Sequence, residues 1–419
     1  MGTRFPQWKL LDYFRFEVLH SSKRSGSLAR VGRIHTPHGI VDTPGFVAVG
    51  TNAALKFVDH VQADEAGLQL MFCNTYHLCV HPGPERVRAA GGLHKFMRRD
   101  RPLITDSGGF QIFSFAAEQG ELCLPGSRSP IEQQDDEGKM QDGSEPQRED
   151  ASLKSSRRTR PVRIPGAVRV TEEGAHFRSY RDGAAIFLSP ETSVEAQKAL
   201  GADIIIPLDE LPPYHTDRQA LRNALMRTHR WEERSLLKHL ESPQQQAMYA
   251  VLHGGVDQEL RRLSVEHLTT LPFDGWAIGG SLGRDRDDML QLLSFLIPLM
   301  PRHLPTHLLG IADELSIGDA VPLGIDTFDS CFPTRLGRHG TFLTRKGRVR
   351  INHASNRDDY GPLDEMCDGY VSQTYSRAYL HHLWKAREPL VHSLLTLHNI
   401  KHMIDLSARL RQQIWRDEI

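Results

Sequence analysis

Six short apolar runs, each ending in an aspartate, a histidine or a glycine, constrain the fold of this chain more than any other feature. They are Arg101 to Asp106 (RPLITD), Asp203 to Asp209 (DIIIPLD), Met248 to His253 (MYAVLH), Gly275 to Gly280 (GWAIGG), His307 to Gly310 (HLLG) and Gly324 to Asp329 (GIDTFD). Each has the length of a strand and lacks polar alternation, as strands covered on both faces do. Segments of helical spacing, such as Ser193 to Leu200 and Asp287 to Leu299, lie between them. Repeated βα units predict an α/β fold, a (β/α)8 barrel of TIM type. No G-x-G-x-x-G fingerprint supports a doubly wound sheet instead.

A barrel carries its chemistry at the C-terminal ends of its strands. Asp106, Asp209, His253, Gly280 and Asp329 all fall there. An aspartate between a strand and a helix also reads as an N-cap, since its carboxylate satisfies free backbone N–H groups. Five polar or glycine positions on one face favour a site over caps alone.

The rest of the chain fits this frame. At 419 residues, 39% of them hydrophobic, and with a formal net charge of −1, it can bury a core without disulfides or a structural metal. Five cysteines at irregular spacing (Cys73, Cys79, Cys123, Cys331, Cys367) argue against a disulfide framework and for a reducing compartment, the cytoplasm. Met1 to Leu19 lacks a signal-peptide core, and Leu292 to Met300 is about half a membrane span, so no membrane association is expected. Ala116 to His176 holds no Phe, Trp or Tyr and passes from an acidic block (Asp135, Asp136, Glu137) to a basic one (Arg157, Arg158, Arg160). Residues 120–165 therefore read as a disordered insertion in the barrel. The expected division is 1–119 first part of the barrel, 120–165 insertion, 166–345 the rest of the barrel with the active site, and 346–419 a C-terminal helical subdomain.

Two carboxylates in special surroundings are the sharpest signals. Asp106 precedes Ser107, Gly108 and Gly109, where glycines let a flat ligand approach the backbone and leave Phe110 to stack on it. Asp329 precedes Arg335 and Arg338. Two carboxylates at one barrel mouth can divide a displacement at a sugar carbon: one attacks C1′, the other moves protons. A plain ion pair of Asp329 with the arginines is the alternative.

The strings NTYHL (Asn74 to Leu78), HPGPE (His81 to Glu85), TDSGGFQ, LSPE (Leu188 to Glu191), LDE (Leu208 to Glu210), HGG (His253 to Gly255), AIGG (Ala277 to Gly280), FDSCFPTR, SRAYLHHL (Ser376 to Leu383) and LHNI (Leu397 to Ile400) resemble the tRNA-guanine transglycosylase family, in that family's order, from about Arg30 to the C-terminus. The resemblance implies exchange of guanine at the tRNA wobble position for a 7-deazaguanine base on a modified (β/α)8 barrel, with no cofactor required for the chemistry. It implies Asp329 as nucleophile and Asp106 as the residue that accepts a proton from the incoming base. It also implies a base pocket of Ser107, Gly108, Gly109, Phe110, Asp209, His253 (where the family usually has Gln), Gly280 and Gly283. RNA contacts are implied for Gly310, Ile311, Ala312, Asp313, Glu314, Leu315 and Ser316, and for Thr334, Arg335, Leu336, Gly337 and Arg338.

Gly283 stands where members that take the small aminomethyl precursor have Val, and Leu211 where they have Cys. This implies queuine, the base with the larger substituent. The partners implied are the tRNA anticodon stem-loop, the 7-deazaguanine base, and a second subunit in a homodimer or a heterodimer with a related chain. The family's structural zinc needs C-x-C-x-x-C and a later His. Here Cys367 and His398 remain, while Gly369 and Ser372 replace two cysteines, and two ligands do not close a tetrahedral site. Asp368, His381 or His382 are the available substitutes, and Tyr370, Tyr375, Tyr379 and Trp384 the candidates for packing without metal. Lost zinc ligands also suit a non-catalytic tRNA-binding paralogue or accessory subunit, against which stand both surviving aspartates. A metal-dependent barrel hydrolase fails, because no H-x-H follows an early strand.

Overall fold

The computed structural model describes residues 5–110, 168–179 and 181–419. The insertion expected at 120–165 lies outside them. Three antiparallel strands come first, β1 (Arg15–Ser21), β2 (Arg30–Thr36) and β3 (Gly39–Thr43). The chain then enters β4 (Gly45–Val49), β5 (Met71–Cys73) and β6 (Leu103–Thr105). An antiparallel sheet of β7 (Arg169–Val170), β8 (Ala175–Arg178) and β9 (Ala185–Leu188) intervenes. Five more strands follow: β10 (Ile204–Ile205), β11 (Ala247–Leu252), β12 (Gly275–Ile278), β13 (Thr306–Leu308) and β14 (Thr327–Ser330). The hairpin β15 (Thr341–Thr344) and β16 (Gly347–Arg350) ends the series. Strands β4–β6 and β10–β14 close an all-parallel barrel, sealed where Thr327 of β14 registers with Gly45 of β4.

All six expected strands are in the barrel; β4 and β5 complete the eight. Pro44 and a preceding antiparallel hairpin hide β4, and Gln69 breaks the apolar run before the three residues of β5.

Helices occupy the connections: α1 (His60–Glu65), α2 (Thr75–Val80), α3 (Pro84–Ala89), α4 (Leu93–Met97), α5 (Pro190–Leu200), α6 (Arg218–Leu240), α7 (Gln258–Leu268), α8 (Arg286–Leu296), α9 (Glu314–Ala320) and α10 (Phe332–Arg338). Their starts follow capping chemistry. Ser189 and Thr192 form a capping box on α5, and Asp217, Asp257, Asp285 and Asp313 accept backbone N–H groups at α6, α7, α8 and α9. The caps are thus different aspartates from those at the strand ends.

The first sheet plugs the barrel's N-terminal end. Phe14, Ile34 and Val41 join Val47, Ile104, Ile204, Tyr249 and Ala277 in one apolar cluster, with the Phe14 ring edge-on to Tyr249. Arg30 of β2 makes a buried two-pronged pair with Asp326 at the start of β14, at 2.8 and 2.6 Å. After β16 come α11 (Tyr370–Thr374), α12 (Arg377–Lys385) and the 26-residue α13 (Leu390–Trp415). Helix α13 packs on α10, β15, β4, β2 and α1, so it belongs to the barrel's outer layer. Among the described residues no helix is long and apolar enough to cross a membrane.

Candidate active site at the barrel mouth

The strand ends bring three carboxylates together. Asp106 follows β6 and is only partly open to solvent. Its two oxygens accept Asn74 Nδ2 at 2.5 Å and the Thr75 backbone N–H at 2.7 Å. Burial lifts its pKa most, the Thr75 N–H opposes this, and the charges of Asp209 and Asp329 add to the rise, leaving it at about 7.

Asp209 lies beyond β10 and accepts Ser107 Oγ at 2.9 Å on Oδ1 and pairs with His253 Nε2 at 2.8 Å through Oδ2. Gly108 and Gly109 make this possible. Gly108 has φ +82° against the Tyr76 backbone, and a Cβ on Gly109 would sit 2.9 Å from the Asp209 carbonyl oxygen. Gly280, at φ +77°, is equally tight, because its Cβ would lie 2.8 Å from His253 Nδ1. Phe110 is exposed at the rim.

Asp329 closes β14, 6% exposed. Its Oδ1 faces two donors, His307 Nε2 at 3.0 Å and the Gly310 backbone N–H at 2.9 Å, while Oδ2 takes no hydrogen bond among the described residues. It is not paired with Arg335, which reaches Cys331 Sγ, or with Arg338, which reaches the Thr334 carbonyl. A cavity of about 510 Å³ adjoins the site, bounded by Glu210, Tyr214, Arg218, His253, Gly280 and Ser281.

The sequence motifs do not all converge on this mouth. A Cβ on Gly283 would fall 2.2 Å from the Asp288 Cβ at the start of α8, away from the cavity lining, and Arg284 turns out to solvent on Asp288. The missing side chain there relieves a turn, and Gly283 does not line this cavity. In the two stretches where the resemblance implies RNA contacts, Ile311, Ala312, Asp313, Ser316, Thr334 and Gly337 are buried, the last packed on Thr396 of α13. Gly310 and Leu315 are exposed; Glu314, Arg335, Leu336 and Arg338 are half-buried.

Sequence reasoning passed over Asn74, His307 and Glu232. Asn74 was visible in NTYHL, and His307 as a polar residue inside an apolar strand. Glu232 is fully buried on α6, accepts only the Val251 N–H among the described residues, and is held well above the usual carboxylate range by burial first and the Asp209 charge second.

The remnant zinc ligands are spoken for. His398 Nε2 donates to the Leu343 carbonyl at 2.7 Å, so Nδ1 accepts from Ser372 Oγ at 3.2 Å, and burial lowers its pKa. Burial also raises the Cys367 thiol. Asp368 pairs with Lys401, His381 with the Ile351 carbonyl, and His382 is exposed. These residues do not fit a tetrahedral zinc. The aromatic candidates divide: Tyr370 and Tyr379 are exposed, the first edge-on to Tyr375 and the second stacked on it, whereas Tyr375 and Trp384 pack in part against the core, Trp384 under Gly340.

The sequence profile of the family described as queuine tRNA-ribosyltransferase matches residues 25–124 and 147–419. The chain belongs to this family. Proteins named queuine tRNA-ribosyltransferase resemble it along nearly all their length: one from Protochlamydia amoebophila is 49% identical over 98% of this chain and 97% of its own. One from Chlamydia felis is 46% identical, and one from Chlamydia pneumoniae 45%, each over 97% of this chain and 99% of its own. The internal residues 125–146 that the profile leaves unmatched fall inside the expected insertion.

Proposed function

We propose that this protein exchanges guanine at the wobble position of GUN-anticodon tRNAs for a 7-deazaguanine base, queuine in preference to its aminomethyl precursor, through a covalent aspartyl-tRNA intermediate. The observation that carries the reading is the presence on one mouth of a buried Asp329, one of whose oxygens takes no hydrogen bond among the described residues, and an Asp106 raised by burial to about 7.

In the first half, Asp329 Oδ2 attacks C1′ as the C1′–N9 bond breaks, and guanine leaves with the bonding electrons and takes up a proton from solvent. In the second, Asp106 accepts the N9 proton of the incoming base, whose nitrogen attacks C1′ and returns the bonding electrons to the Asp329 carboxylate. A general base with a pKa near the working pH suits that transfer. Asp209 holds the amino and ring N–H edge of the base with the lone pairs that Ser107 and His253 leave. The cavity beside Gly280 and His253 gives a cyclopentenediol substituent room, with Tyr214, Arg218 and Glu210 to meet its hydroxyls, and the relatives' name points to the same base. Arg335 and Arg338 would meet phosphates near a flipped-out nucleotide. A dimeric assembly, of identical or related subunits, is part of the same proposal.

The test is release of radiolabelled guanine from GUN-anticodon tRNA, offering queuine and the aminomethyl precursor separately, with Asp329→Asn as control. Release driven by queuine and lost in the variant supports the reading. Release driven only by the precursor overturns the choice of base, and no release from folded, tRNA-binding protein overturns the activity.

A further inference from the structure

The barrel register places His307 of β13 opposite Thr327 of β14. Asp329 lies two residues beyond Thr327, so both side chains leave the strand on the same side. The buried imidazole spans the pair: Nδ1 lies 2.8 Å from Thr327 Oγ1, and Nε2 lies 3.0 Å from Asp329 Oδ1. The Phe72 ring faces the imidazole, with centroids 6.1 Å apart and planes inclined by 19°.

This arrangement fixes the hydrogen positions. Nε2 faces a carboxylate and must carry the proton, so in the neutral ring Nδ1 is the acceptor and Thr327 Oγ1 donates to it. Asp329 Oδ1 then receives two N–H donors, from His307 and Gly310, whereas Oδ2 receives none among the described residues.

We propose that His307 is a positioning residue for the exchange reaction: with Thr327 setting its tautomer, it ties down Oδ1 of Asp329, makes Oδ2 the attacking atom, and stabilises the carboxylate when it leaves C1′. The inference rests on the function proposed above. When Oδ2 bonds C1′, Oδ1 becomes the ester carbonyl oxygen and keeps both donors. When the incoming base displaces the ester, the bonding electrons return to a carboxylate that already has its hydrogen-bond donors in place, so little reorganisation is needed.

The experiment compares wild type with His307→Leu, His307→Gln and Thr327→Val. It measures kcat and KM for base exchange, the covalent protein–tRNA adduct trapped on a denaturing gel without incoming base, and thermal unfolding. His307→Leu should lower kcat on the order of 10²-fold, the size expected for losing one preorganised donor, while KM for tRNA stays within about twofold. His307→Gln, whose amide N–H can occupy the Nε2 position, should recover most of the loss, and Thr327→Val should fall between. Adduct formation should slow in the same order.

A merely structural role would show as equal losses in the Leu and Gln variants that follow their melting temperatures, and this would overturn the proposal. So would wild-type rates in a folded His307→Leu protein. A wild-type protein that forms neither adduct nor product overturns the function itself, a different outcome from either of these.

Discussion

Asp106 and Asp203 stand at opposite ends of neighbouring barrel strands, β6 and β10, and their surroundings drive them in opposite directions. Burial acts on both. At the N-terminal end, Asp203 meets His38 Nδ1 at 2.7 Å, His94 Nε2 at 3.2 Å and the Leu103 N–H at 2.8 Å. The two imidazoles outweigh the burial and take its pKa down to about 2. At the mouth, Asp106 meets three neutral donors (Asn74 Nδ2 and the Thr75 and Gly108 N–H groups) and two further carboxylates, and burial carries it to about 7. Depth alone does not separate them: Asp274, at the same closed end as Asp203, has the Met248 N–H and Trp8 as partners and is also pushed up to about 7 by burial. What a buried carboxylate contributes depends on the charge of its partners. Asp203 pins the β2–β3 turn, α4 and β10 together, whereas the mouth holds like charges in proximity, at a cost to stability.

The largest expected effect falls at the mouth. Asp106→Asn should lower base exchange by about 10²- to 10⁴-fold, the range for losing a general base. It should not destabilise the protein at pH 8. A folded-state pKa above the unfolded one means that stability is present while the group is protonated and declines as pH rises from about 4 through 7. Melting curves at pH 5 and pH 8 check this. A variant several degrees less stable than wild type at pH 8 breaks the contrast.

Asp203→Asn comes next, and is its mirror. Its depressed pKa contributes about 2 kcal/mol above the unfolded value, lost as pH falls from about 4 toward 2. Urea unfolding at pH 7 should show that loss, the gap to wild type should close near pH 2, and exchange per folded molecule should stay within about twofold. A large loss of specific activity would mean that the closed end and the mouth are not separable.

The strands and the mouth aspartates were legible because each leaves a local pattern: an apolar run of strand length, then a polar residue. Strands β4 and β5 were not, since Pro44 and Gln69 break that pattern while their pairing is supplied by neighbours distant in sequence. His38, His94 and Asp203 lie on three separate elements, so nothing local announces their cluster. The two stretches with implied RNA contacts were legible as motifs, but only the structure separates the half-buried Arg335 and Arg338 from the buried Thr334 and from Gly337, which packs on α13. Gly283 shows the converse. Its position in the motif suggests pocket volume, and the structure adds that a Cβ there would crowd the turn before α8.

A smaller effect is the pH profile. With Asp106 as the base, kcat/KM should rise about tenfold per pH unit below pH 7 and level off above it. Asp203 titrates far below this range, so Asp203→Asn should leave the profile in place. A profile flat from pH 5.5 to 8 would remove Asp106 from the proton transfer.

The smallest effect tests where the mouth ends. Gly280 and Gly283 are three residues apart, both with positive φ, yet a Cβ on the first meets His253 Nδ1 and on the second meets Asp288. Gly280→Ala should therefore weaken binding of queuine and its aminomethyl precursor alike, because it crowds the part of the pocket that both bases share. Gly283→Ala should strain the turn before α8, at a cost of about 1 kcal/mol in stability, and change the ratio of KM values for the two bases by less than about threefold. A tenfold shift in that ratio from Gly283→Ala would extend the pocket to this turn. An unchanged ratio leaves base choice to the cavity side chains, where Tyr214→Phe and Arg218→Ala are the next substitutions to compare.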